Sequence, residues 1–153
     1  MKDKKTETFV FHGLGFPITL INAPLRKILG EWVVDIDMDE LQSVVLRALV
    51  CKQTRLTKDE LRFMRKSLLM TTTEFGKILG VSHVAVLRWE NGQRKISPAI
   101  ELFIRLYILN HLDVKDKEFR NLYNLITLEK LSNAKAEKKS SLEVDATDEL
   151  KIA

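Results

Sequence analysis

In the stretch "TTTEFGKILGVSHVAVLRWENGQRK", residues 71–95, two helix-start signals stand on either side of Gly80. Thr71 with Glu74 has the spacing of a capping box, and Ser82 can cap the segment that follows. Gly80 suits a left-handed residue ending the first helix. Little more than Gly80-Val81 then joins two short helices, 72–79 and 82–90. So short a joint cannot lay helices antiparallel, and it sets them at a steep angle, as in helix-turn-helix units. Phe75, Ile78 and Leu79 of the first helix face inward, as do Val81, Val86 and Trp89 of the turn and second helix. Gly76 permits a tight crossing. Thr72, Thr73, Ser82, His83, Ala85 and Arg88 are left outside.

The flanking text supports a bundle around this pair. Thr57 and Glu60 make a further capping box, for a helix carrying Leu61, Met64, Arg65 and Leu68. Asn91-Gly92 closes the second helix of the pair. Ser97-Pro98 opens a long helix, with Ser as N-cap and Pro at the first helical position. That helix, "AIELFIRLYILNHL", is apolar nearly all round and must bury two faces. A last helix at about 116–131 carries Phe119, Leu122, Tyr123 and Ile126 on one side. The residues after Ser132 lack aromatics and mix charge, which reads as a flexible tail over 133–153.

Residues 9–37 are written differently. Val, Ile, Phe, Trp and Thr recur in short runs broken by Gly13, Gly15, Pro17, Pro24 and Gly30. Short strands are expected near 9–12, 18–21 and 31–36. An amphipathic helix follows, begun by Asp37 with Glu40 and carrying Leu41, Val44, Val45, Ala48 and Leu49 to near Cys51. The fold class is therefore mainly α, with a small β-rich N-terminal unit before a helical bundle. The expected layout is a mobile 1–8, a β-rich unit with its helix over 9–52, the bundle over 53–132, and the tail.

Charge and cysteine content narrow the function. The 153 residues carry a net charge of +4. From Arg55 to Arg105 there are ten cations against five anions, so the positive charge sits in the middle third. That distribution suits either a solvated helix surface or a nucleic-acid partner. The single Cys51 allows no internal disulfide, and a reducing cytoplasm is the natural setting. No apolar run is long enough for a membrane span, and "MKDKKTETFV" lacks the apolar core of a signal peptide. No paired acid and base, nucleophile context, phosphate loop or metal set favours an enzyme. With only Cys51, His12, His83 and His111 at no ligand spacing, no metal or other cofactor is expected.

Between Thr71 and Gly92 the motifs Glu-Phe-Gly, Gly-Val-Ser, Arg-Trp-Glu and Asn-Gly stand at the spacing of the Cro and phage-repressor (XRE-type) helix-turn-helix family. The resemblance extends from about Thr57 to Leu106 and implies a lambda-repressor-like bundle that binds double-stranded DNA. It implies that Thr72 meets a phosphate; Thr73 is counted with it among the DNA-facing residues, and Ser82 faces the groove. His83, Val84 and Ala85 open the recognition helix in the major groove. Arg88 can fork onto a guanine, while Asn91, Arg94 and Lys95 hold the backbone. Thr72 and His83 replace amide side chains common in the family, so Val84 and Ala85 point to thymine methyl contacts instead. His83 and Arg88 also have a plainer reading, as solvated polar residues. Trp89 is expected in the core, and Arg65 with Glu90 matches a bracing ion pair of the family. Reading a palindromic operator requires a two-fold dimer, expected through residues 98–131. The alternative is a monomer whose last helix covers that surface.

The N-terminal text, "FPITLINAPLRKILGEWVVDIDMDELQ", resembles the MqsA-type antitoxins, which join a zinc-binding sheet domain to such a helix-turn-helix. Arg26 and Leu29 stand where that family has cysteines. The metal site is thus expected to be lost, with apolar packing of Ile28, Leu29 and Trp32 in its place. That resemblance implies a cognate toxin as partner, with Phe16, Pro17 and Trp32 either contacting it or filling a small core. Two functions remain: a dimeric autorepressor, or a module that neutralises a partner through residues 9–50.

Overall fold

The computed structural model describes residues 3–112, 121 and 127–146. In chain order the described elements are β1 (Lys4–Phe11), β2 (Ile18–Ile28), β3 (Glu31–Val34), α1 (Met38–Cys51), α2 (Lys58–Ser67), α3 (Thr72–Leu79), α4 (His83–Glu90), α5 (Pro98–His111), α6 (Leu128–Asn133) and β4 (Glu143–Asp145). The chain divides into two compact units, residues 1–45 with 141–153, and residues 46–140. The division falls inside α1 rather than after it.

In the first unit β2 is the central strand. It pairs antiparallel with β1 and with β3, and parallel with β4. Its buried residues change parity halfway, from Ile18 and Leu20 to Ala23 and Leu25. A β-bulge makes that change possible. Thr8 of β1 stands opposite both Ile21 and Asn22, and the Asn22 amide, at φ 53°, donates to Thr8 Oγ1 at 3.1 Å. One extra residue moves the following apolar positions back onto the inner face. With Phe16, Leu41, Val44, Val45 and Val144 they form this unit's core.

Three expectations are corrected here. Pro24 lies inside β2, opposite Thr6, and does not break it. Its carbonyl accepts from Asp35 at 2.8 Å, so its missing N–H faces the gap between the β4 partners (19–21) and the β3 partners (25–28). No donor is wanted there. The strand therefore runs on, and β1 extends back to Lys4, within the segment expected to be mobile. The chain after Ser132 is not featureless either. Leu142 and Ile21 carbonyls accept from Thr19 and Ala146, and Val144 is fully buried. A three-residue parallel strand has no local signal. Finally, Ile28, Leu29 and Trp32 do not fill the place of a metal, being 42%, 100% and 38% exposed. Leu29 and Gly30 form a two-residue hairpin turn with positive φ at both, which carries these side chains outward. Lys5 and Lys27 lie over the Trp32 ring, at 4.5 and 5.8 Å. Phe16, by contrast, is core.

The second unit is helical. Leu46, Leu49, Val50, Leu61, Phe63, Met64, Phe75, Val86, Trp89, Ile104, Ile108, Leu109 and Leu131 are its main buried apolar residues. Helix α6 is capped by Thr127, whose Oγ1 accepts from Lys130 at 3.3 Å. Of the helix expected over 116–131, Phe119, Leu122, Tyr123 and Ile126 lie outside the described residues. On α5 the buried stripe is Glu101, Ile104, Arg105, Ile108 and Leu109. The two charged members are both fully buried and paired at 2.7 Å. Arg105 also donates to the Val50, Lys52 and Thr54 carbonyls, closing the C-terminus of α1. Glu101 additionally accepts from Arg55 Nε at 2.8 Å. Among the described residues no helix is long and apolar enough to cross a membrane.

Candidate nucleic-acid interface

The start of α3 is fixed by the expected capping box. Thr71 Oγ1 accepts from Glu74 N at 3.1 Å, and Glu74 Oε1 accepts from Thr71 N at 3.4 Å. Gly80 ends the helix at φ 68°, and the Val81 amide turns back to the Gly76 carbonyl at 2.9 Å. A Cβ on Gly76 would lie 2.7 Å from the Val81 carbonyl oxygen. The closeness that glycine permits is thus to the turn itself, where helix crossing was expected. Ser82 Oγ then accepts from Ala85 N at 3.2 Å and starts α4. That bond occupies a lone pair and leaves the hydroxyl hydrogen free to donate outward.

Burial decides the orientation of α4. Val86, Trp89 and Glu90 are buried, and Ala85 is half-buried. His83, Val84, Leu87 and Arg88 are exposed. The outer surface thus carries one cation and one imidazole beside two exposed aliphatic side chains. Leu87 was missed from sequence. Its three-residue spacing from Val84 was the available signal, but an aliphatic residue between Val86 and Trp89 reads as core. Thr73, Ser82, Asn91, Arg94 and Lys95 are exposed and Thr72 is half-buried. Thr72, Thr73, Ser82 and the four exposed α4 residues belong to the two short helices and their turn. Asn91, Arg94 and Lys95 come from the loop beyond.

Glu90 anchors α4 from below. Arg65 Nε and Nη2 donate to its two carboxylate oxygens at 2.7 and 2.9 Å, and Arg65 Nη1 donates to the Met70 carbonyl. Hydrogen bonding to Glu90 raises the Arg65 pKa further. Arg62 adds bonds to the Glu90 carboxylate and carbonyl. The bracing pair expected from sequence is therefore a three-residue clamp.

These internal pairs reshape the charge. Glu60, Glu90 and Glu101 are buried, held respectively by Lys52, by Arg62 with Arg65, and by Arg55 with Arg105. Of the anions between Arg55 and Arg105, only Asp59 and Glu74 remain outside. Lys58, Lys66, Lys77, Arg88, Arg94 and Lys95 are all exposed. The pairs withdraw three of the five anions and four of the ten cations, so the exposed cations outnumber the remaining carboxylates six to two.

Among the described residues no group of His, Cys, Asp and Glu could hold a metal ion. Burial pushes the Cys51 thiol pKa up, which keeps it protonated and a poor ligand or nucleophile.

Residues 61–106 match the helix-turn-helix family. Neither a curated protein nor a solved structure matches the chain. The middle of the chain is thus an XRE-type helix-turn-helix, the fold of DNA-binding regulators.

Proposed function

Starting from that helix-turn-helix domain, we propose that the protein is a sequence-specific transcriptional repressor of antitoxin type that reads a palindromic operator as a homodimer. The observation that carries this is the exposed face of α4, His83, Val84, Leu87 and Arg88, on a helix whose other side is clamped through Glu90. Arg88 is the guanine reader, placing two donors on O6 and N7. Val84 and Leu87 offer methyl contacts to thymine, with Ala85 at the edge, and His83 reaches a base edge or phosphate at the helix start. Thr72, Thr73, Ser82, Asn91, Arg94 and Lys95 hold the sugar-phosphate backbone and set the register.

Dimerisation is supported by α5. Phe103 is 48% exposed and lies with Tyr107 at 6.3 Å between ring centroids, an aromatic pair on the outer side of the helix. The reading is tested with DNA from upstream of the protein's own gene. Arg88→Ala should weaken binding by about 1–3 kcal/mol and relax the preference at one base pair. Unchanged affinity and preference would remove Arg88 from base readout.

A second reading, neutralisation of a partner protein such as a toxin, is favoured by the β2–β3 hairpin. Leu29 is fully exposed at φ 50°, where a leucine is strained and gains no burial. Strained residues cluster at binding and switch positions, and Leu29 lies on a hairpin tip beside exposed Ile28 and Trp32. The partner would be the product of an adjacent reading frame. Co-expression with that product, followed by loss of the complex on Leu29→Asn, supports the reading. A complex indifferent to Leu29, Ile28 and Trp32 would sink it.

A further inference from the structure

Beside the recognition helix the second unit holds a cleft of about 370 Å³ between the start of α2, the loop after α4 and the segment 136–138. Its volume lies in the range of small-molecule sites. Leu61, Trp89 and Ile96 give it an apolar floor, with Leu61 and Trp89 themselves almost wholly buried. Lys58, Arg94, Lys95 and Lys138 stand around it, and none of the four makes an ion pair among the described residues. The one carboxylate in the lining, Glu137, is already engaged by Lys52 and Thr54. The other cation there, Arg55, is committed to Glu101 and to the Ile96 carbonyl. An apolar floor in a half-open cleft, rimmed by four cations outside any described ion pair, is complementary to one kind of guest.

We propose that this cleft binds a small organic anion with an apolar body, and that binding lowers the affinity for DNA. The apolar body rests on the floor and its carboxylate or phosphate meets the cations. The second half of the proposal rests on the DNA-binding reading above. Arg94 and Lys95 line the cleft and are also assigned to the DNA backbone, so one anion competes with the other for the same charges. Neutralising both removes part of the counterion-releasing contact that dominates DNA affinity.

The test uses the full chain and three probes: indole-3-acetate, inorganic phosphate and tryptamine. Binding is followed without DNA through the Trp89 indole N–H resonance, and DNA affinity is measured separately. Indole-3-acetate should bind saturably, inorganic phosphate at least about tenfold more weakly, and tryptamine not at all, since both body and charge are needed. Ala136→Trp, which fills the cleft from an exposed position, should abolish binding, and Lys58→Gln with Lys138→Gln should weaken it severalfold. Saturating indole-3-acetate should weaken DNA binding severalfold in the native chain and leave the Ala136→Trp variant unaffected. No saturable binding, tryptamine binding equal to indole-3-acetate, or binding unaffected by Ala136→Trp would overturn the site. Saturable binding with unchanged DNA affinity would overturn its coupling to DNA. A chain that binds no upstream DNA would instead fail the regulator reading, with the Trp89 titration still deciding the site.

Discussion

Two leucines show how a single backbone angle can separate fold from use. Leu29 and Leu69 have φ of 50° and 58°, and they are 100% and 90% exposed. Leu69 sits just past α2, where the Leu69 and Met70 amides close onto the Lys66 and Arg65 carbonyls. That is the position glycine usually takes at a helix end. Leu69→Gly should therefore stabilise the protein by about 0.5–1 kcal/mol, once glycine's greater freedom in the unfolded chain is set against the relieved strain. Urea denaturation would show it as a higher midpoint at unchanged slope, and a lower midpoint would mean that Leu69 makes a contact of value. Gly80 and Gly92, at φ 68° and 74°, were readable as helix stops because glycine announces such a position. Leu29 and Leu69 were not, because nothing in a leucine marks a left-handed backbone.

At the scale of elements, the α3–turn–α4 unit was the most legible part of the chain. Its caps, Thr71 and Ser82, lie within a few residues of the amides they serve, as do Thr57 of α2 and Ser97 of α5, and all four cap the helices expected of them. Gly76→Ala probes the unit directly. The added Cβ meets backbone oxygen at 2.7 Å and the turn must move, at a cost of about 1–3 kcal/mol. DNA affinity should fall further than stability explains, since the displaced turn carries α4; native-like DNA binding at a temperature where the variant is folded would contradict this. Helix α5 was less legible. Its apolar residues were visible, but Glu101 and Arg105 lie on the most buried stripe, where sequence reasoning expects only apolar side chains. Among the described residues the buried Arg105 Nε has no hydrogen-bond partner, so the pair is not fully satisfied even together. Glu101→Leu should cost about 3–5 kcal/mol by leaving Arg105 charged and unpaired. Adding Arg105→Met should recover much of that loss, and a double variant no more stable than the single one would show that the carbonyl contacts of Arg105 carry the helix.

For the molecule as a whole, charge is the property that links fold to function. Three glutamates and four arginines committed to internal pairs leave six exposed cations against two carboxylates between Arg55 and Arg105. DNA affinity should fall steeply as salt rises, with log K linear in log salt at a slope of about −0.9 for each phosphate contacted. Lys95→Gln should weaken binding alike on all sequences and reduce that slope by about 1. A slope near zero would exclude a phosphate-dominated interface.

Elements whose signals are local could be read directly from the order of residues. Caps, glycine stops and helical periodicity placed the helix-turn-helix pair and part of its outer face, His83 and Arg88 but not Leu87. The Arg65–Glu90 brace was expected only from the resemblance to a family. Features that depend on residues far apart in the chain became visible in the folded molecule alone. Pro24 continues a strand because its nitrogen meets a gap between two partners, and Val144 completes a sheet whose central strand begins at Ile18. Glu101 and Arg105 are interior because Arg55 and the end of α1 come to them. Such contacts leave no periodic trace, since the energy that fixes them is shared between segments that do not specify one another locally.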